Sequence, residues 1–173
     1  TSLAEHKLNH SNSAFFQAIG LKIEQDFDFT IHTLNYLHGK PPTQSPLFRT
    51  NYYAFLLIAG GKGHYTIDDN YFTVQAGSFY FTNPGHLKSF FIEENLQGYM
   101  ITFSEAFLKI HHPQRVEQAF PFLYHETTPV MQLPPEVFAD LNASLGVMER
   151  AYQTPSSFKK QVVGGHLVAF LYQ

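Results

Sequence analysis

Between Tyr53 and Phe91, short runs of aromatic and β-branched residues recur at near-regular intervals, each parted from the next by residues that turn a chain. The runs are Tyr53–Ile58, His64–Ile67, Tyr71–Val74, Ser78–Thr82 and Leu87–Ile92. Strands this short and this evenly spaced pair antiparallel with their neighbours, and they bury their shared face by closing into a small barrel or sandwich. The punctuation has a mechanism. Gly60-Gly61 supplies the positive φ of a tight hairpin, Asp68-Asp69-Asn70 tolerates left-handed backbone, Ala76-Gly77 breaks the following run, and Pro84-Gly85 suits the centre of a type II turn.

The flanks extend this pattern and then abandon it. Phe29–Leu37 alternates as a further strand with apolar residues on both faces, which predicts that both are covered. Gly39–Pro46 holds three prolines and reads as an exposed connection. Gly98–Phe103 is another strand, and Ser104 is suited to cap a helix over Glu105–His111 that Pro113 ends. Gln114–Ala119 reads as a short turn and Val130–Leu133 as a last strand. From Pro134 the period becomes helical: Val137, Leu141, Leu145, Met148 and Tyr152 form one stripe. Thr154-Pro155 then predicts the start of a second helix carrying Phe158, Val162, Leu167 and Phe170 or Leu171. Gly164-Gly165 inside it costs about 1 kcal/mol per glycine relative to alanine, so it marks either a close approach by another backbone or a break. The predicted organisation is mainly β. Residues 1–27 form an arm, residues 28–133 a β-barrel with short helices near 105–119, and residues 134–173 a helical pair.

Charge and composition exclude several classes of function. With 14 acidic against 11 basic residues in 173, the net charge is −3, and no basic field exists to hold duplex DNA. Cysteine is absent, which removes disulfides, thiolate nucleophiles and thiolate metal sites together. No apolar run approaches the ~18 residues of a membrane span, and the first residues lack a secretory pattern, so a cytoplasmic location is expected. Charged residues are only 14% of the chain, which predicts that a partner covers some surface. The helical pattern runs to Gln173 without a capping glycine, so the chain is expected to continue.

The Ala76-Gly77-Ser78 turn followed by Pro84-Gly85 resembles the cupin barrel. The run Gly98-Tyr99-Met100-Ile101-Thr102-Phe103-Ser104-Glu105-Ala106-Phe107-Leu108 narrows the resemblance to the N-terminal sensing and dimerisation domain of AraC-type transcriptional regulators, from Phe29 to the C-terminus. The resemblance implies a cupin-like antiparallel β-barrel, a double-stranded β-helix or jelly roll, followed by an α-helical pair that dimerises the protein. It also implies a small-molecule effector in the barrel and an arm able to fold over the barrel mouth. DNA would be bound only through two helix-turn-helix units beyond Gln173. Metal-binding cupins carry a His-x-His pair, a Glu and a final His; here those places fall on Phe48, Thr50, Ala54 and Lys88. None ligates a metal in its usual state, so neither metal nor other cofactor is expected.

Other constellations offer little chemistry. His86 stands two residues from the last ligand place and reads as a turn histidine. The ten histidines show no H-x-H or H-E-x-x-H spacing. Glu93-Glu94 reads as a solvated turn, since adjacent carboxylates on a strand point to opposite faces. What remains is the barrel interior. Strand parity turns Thr50, Tyr52, Ala54, Leu56 and Ile58 inward with Lys88 and Phe90 opposite, and the resemblance turns Gly98, Met100 and Thr102 inward. The candidate effector-binding residues are therefore Arg49, Thr50, Tyr52, Lys88, Phe90 and Met100. Gly98 and Met100 stand where sugar-sensing relatives place polar and aromatic groups, which argues against a sugar. Either these side chains surround an effector or they fill the barrel; a buried Lys88 requires an anionic or hydrogen-bonding partner unless it reaches the rim. Val162, Leu167, Phe170 and Leu171 are the candidate interface of a homodimer, the alternative being a monomer with both helical stripes on the barrel. The competing functional reading is a metal-independent cupin enzyme of the sugar isomerase or epimerase type, with His and Tyr as acid and base.

Overall fold

The structure, a computed structural model, describes residues 28–36, 42–125 and 129–173. The predicted arm, residues 1–27, and most of the 39–46 connection's first half lie outside these residues. Eight strands form one antiparallel sheet: β1 (Phe29–Thr33), β2 (Thr43–Gln44), β3 (Phe48–Arg49), β4 (Tyr53–Ile67), β5 (Asn70–Val74), β6 (Ser78–Thr82), β7 (Leu87–Phe103) and β8 (Val130–Gln132). The main path runs β1-β7-β4-β6-β8, with β2 and β3 pairing on β7 and β5 on β4. Helices α1 (Glu105–His111) and α2 (Val116–Ala119) lie between β7 and β8, and α3 (Pro135–Gln153) and α4 (Lys159–Leu171) follow β8.

Two long strands carry the architecture, and here the sequence reading is corrected. Tyr53–Ile58 and His64–Ile67 are halves of one strand, β4, and Gly60-Gly61 makes no hairpin. Gly61 does hold φ +96°, but within a bulge, where the β4–β7 register slips between Ile58 and Gly63. A Cβ at Gly61 would overlap the Asn95 carbonyl across the sheet. The same slip makes Glu93-Glu94 part of β7 instead of a turn. Each is exposed and paired across to β4, Glu93 with His64 at 2.9 Å and Glu94 with Lys62 at 3.1 Å. An extra residue in a strand reverses which parity faces inward. Ala54, Leu56 and Ile58 line the interior before the bulge, Tyr65 and Ile67 after it. β4 and β7 bend there, and the sheet curls into an open barrel around its own inner face.

The other turns are formed as their residues dictate. Asp68-Asp69 is a two-residue link between Ile67 and Asn70, with Asp68 at φ +52°; Gly77 and Gly85 take φ +86° and +97° in the two turns that follow. Phe29–Leu37 is a strand only to Thr33, after which Leu34–Tyr36 forms a 3₁₀ turn. Both faces of β1 are covered as expected, Phe29, Thr30 and Ile31 being buried. Ser104 caps α1, its hydroxyl accepting from the Phe107 N–H at 3.0 Å.

A second core lies on the outer face of the sheet. Phe55, Leu57, Phe79, Phe81, Ile101 and Phe103 pack there against α3 and α4. The α3 stripe of Leu141, Leu145, Met148 and Tyr152 faces inward as its spacing predicts, with Val137 partly exposed at one end. α4 differs from expectation. It begins at Lys159, not at Pro155, and turns Val163, Leu167, Phe170 and Leu171 inward, leaving Phe158 and Val162 outside. Its two glycines do not break the helix, which runs unbroken from Lys159 to Leu171. Gly164 lies against the His111 imidazole of α1, where a Cβ would overlap the ring, and Gly165 faces open space.

Candidate functional site

Lys88 sits on β7 opposite Phe48 of β3 and Ile67 of β4, and is 2% exposed. The inward parity of β7, shared with Phe90 and Met100, carries its side chain into the barrel interior. Its Nζ donates to Thr82 Oγ1 at 3.1 Å and to Thr50 Oγ1 at 3.4 Å. It also lies 5.4 Å from the Phe48 ring centre and 5.8 Å from that of Tyr52, so the charged form gains some cation–π support. Among the described residues no carboxylate forms a salt bridge with it. Burial pushes its pKa down to about 7, with distant Asp68 opposing weakly. Burial likewise raises the phenols of Tyr52 and Tyr65, so both stay protonated donors.

Around this amine the interior is a cavity lined by Phe48, Tyr52, Tyr65, Phe90, Met100 and Thr102, with about 10 Å³ of free space. Phe90 stacks on Tyr65 with ring centres 4.2 Å apart and on Phe48 at 6.0 Å. Among the described residues neither a histidine nor a carboxylate is in the lining. Among the described residues no three His, Asp or Glu side chains come together as a metal site. The four places that hold metal in cupins, Phe48, Thr50, Ala54 and Lys88, converge here as two apolar groups, a hydroxyl and an amine.

The structure thus brings Thr50, Tyr52, Lys88, Phe90 and Met100 together. Arg49 it places elsewhere: β3 turns it outward, exposed, because its neighbours Phe48 and Thr50 take the inner face. Tyr65 and Thr82 complete the site and were not anticipated. Tyr65 belongs to the half of β4 whose parity the bulge reverses, so counting from Tyr53 points it outward. Thr82 enters from β6, where it pairs with Ala54 of β4, and β6 lies on the opposite side of β4 from β7. His86 remains at the rim, its Nδ1 2.7 Å from Asp68 Oδ2.

Residues 37–155 match the model of the AraC-like ligand binding domain. The chain belongs to this family. No curated protein matches it in sequence. Among solved structures it is similar to apo ToxT from Vibrio cholerae strain SCE256 (TM-score 0.52, 10% identity, 86% of this chain and 56% of that one). It is also similar to unsaturated fatty acid-bound ToxT of the same strain (0.51, 15%, 87% and 54%). A third is ToxT bound to (E)-4-(8-methylnaphthalen-1-yl)but-3-enoic acid (0.50, 12%, 83% and 55%). The chain spans a little over half the length of these ToxT chains, and at such identity the likeness establishes the fold. As a member of the family, the chain is an AraC-type ligand-binding domain. No helix among the described residues is long and apolar enough to cross a membrane.

Proposed function

We propose that this AraC-like domain is the non-catalytic sensor of a cytoplasmic transcriptional regulator, taking an apolar carboxylic acid as effector with its carboxylate on Lys88. The observation that carries the reading is a buried amine, held among the described residues by hydroxyls and rings, at the place where a cupin would hold metal. An incoming carboxylate would restore its charge and supply the missing counter-ion. The two acids in the ToxT structures are of this class, which supports the choice. About 10 Å³ is room for one water at most, far short of the ~300 Å³ at the low end of small-molecule sites. Entry of an effector therefore requires Phe90 or Met100 to change rotamer, which makes occupancy a conformational event able to reach the helices.

The helical pair would dimerise the protein and a further segment would bind DNA, which the −3 net charge of these 173 residues makes a task for another part. The competing isomerase reading needs an imidazole beside a tyrosine, and the described residues of the lining include no histidine. Titration calorimetry with decanoate and decanol tests the proposal. Decanoate is expected to bind at least ~10-fold tighter than the alcohol, and Lys88→Met to remove that preference. Equal binding of both probes, or a preference that survives Lys88→Met, would refute it.

A further inference from the structure

The helical pair does not close fully on the sheet. Between them lies a second cavity of about 460 Å³, open to solvent on one side and separate from the barrel interior. Its floor is the outer face of β4 and β6, where Phe55 stacks with Phe81 at 4.8 Å and with Phe79 at 5.4 Å. Its walls are Leu141 of α3 and Phe170 and Leu171 of α4, with Phe170 edge-on to Phe55 at 5.7 Å. All six residues are less than a tenth exposed. The space is therefore a recess inside the packed layer, not a flat patch that another protein surface would cover, and its volume falls in the ~300–1,000 Å³ range of small-molecule sites.

The lining also selects the occupant. Among the described residues it includes no Lys, Arg, His, Asp or Glu, so a charged molecule would be stripped of water with nothing in return. Its one polar side chain with an amide is Gln173, whose Oε1 accepts from Ser144 Oγ at 2.9 Å, a bond that leaves the N–H donors for an acceptor. Stacked phenyl rings and an edge-on Phe170 favour a flat ring system. From this charge and shape complementarity we propose that the recess is a second small-molecule site, one that takes an uncharged, ring-bearing hydrophobic compound with a single hydrogen-bond acceptor. It stands independently of the carboxylate reading of the barrel. An occupant would bridge α4 and the sheet, and α4 carries the exposed Val162.

The probe is 2-acetylnaphthalene, with 2-naphthoate as its charged counterpart, titrated into the 173-residue chain and followed by fluorescence. Saturable binding of the ketone is expected in the micromolar range, at least ~10-fold tighter than the carboxylate. Val137→Trp and Met131→Trp alter exposed rim residues, so both variants should fold, and each should weaken the ketone at least ~10-fold by filling the mouth. Lys88→Met should leave ketone binding unchanged, whereas it should abolish the decanoate preference, so the two sites fail separately. The proposal is overturned by any of three results: no saturable ketone binding, binding indifferent to both tryptophans, or binding lost in Lys88→Met. It is also overturned if sedimentation shows that the probe binds only to monomer, because the recess would then be filled by a second copy.

Discussion

Lys88 makes the stability of the domain depend on pH in a direction opposite to that of most surface lysines. Unfolded, its amine titrates near 10.5; folded, near 7. Between those values the unfolded chain binds a proton that the folded chain does not, so stability rises with pH across that window and is lowest below 7. Above about pH 10 the raised phenols of Tyr52 and Tyr65 act in the other sense and reverse the trend. Denaturant unfolding is expected to show a gain of the order of a few kcal/mol between pH 7 and 9.5, flattened in Lys88→Met. A carboxylate effector needs the amine charged. Its affinity should therefore fall about tenfold per pH unit above 7, with uptake of close to one proton measurable by calorimetry in buffers of different ionisation enthalpy. Lys88, Tyr52 and Phe90 were legible in the sequence because each lies within a few residues of a turn that fixes its parity. Arg49 faces out because it is the odd neighbour of inward residues, and Tyr65 escapes the sequence reading because Gly60-Gly61 reads as a hairpin, which ends the parity count at Ile58.

At the level of elements, the glycines separate what pattern can reveal from what it cannot. A two-residue turn such as Asp68-Asp69 is a local affair, and its residues determine it. Gly60-Gly61 asks for positive φ equally in a hairpin or a bulge, and only the partner strand decides between them. Gly98, at φ +131°, is pressed against the Leu57 carbonyl where β7 meets β4. Gly98→Ala is expected to cost about 3 kcal/mol or more, read as a fall in the denaturant midpoint with an unchanged slope. The glycine pair of α4 gives a sharper contrast. Gly165→Ala should stabilise by about 0.5–1 kcal/mol, since open helix surface gains only propensity. Gly164→Ala should instead destabilise, because the new methyl displaces His111 from between α1 and α4. Both thermal midpoints can be measured side by side, and similar shifts for the two would contradict the packing described.

For the whole molecule, the division into barrel and helices was legible from the change of period at Pro134, and the cupin-like class from the spacing of turns. Which face of α4 turns inward was not, since that helix is apolar nearly all round and only its contact with the sheet resolves it. The candidate interface divides accordingly: Leu167 is wholly buried, Phe170 and Leu171 line the recess, and Val162 is 45% exposed beside Phe158 at 69%. If copies of the chain pair through α4, Val162→Glu should weaken the dimer at least ~10-fold by sedimentation equilibrium without loss of fold, while Leu167→Glu should unfold it by burying an unpaired charge. A dimer indifferent to Val162→Glu would move the contact to another surface. Along β7, Met100 points to the barrel interior while its neighbour Ile101 points to the helices, and the wall between them is one backbone thick. Chemical taste and mechanical output are thus written on alternate letters of one strand. The pocket can be re-tuned at even positions without touching the helices, and the helices re-tuned at odd ones without altering what the pocket accepts.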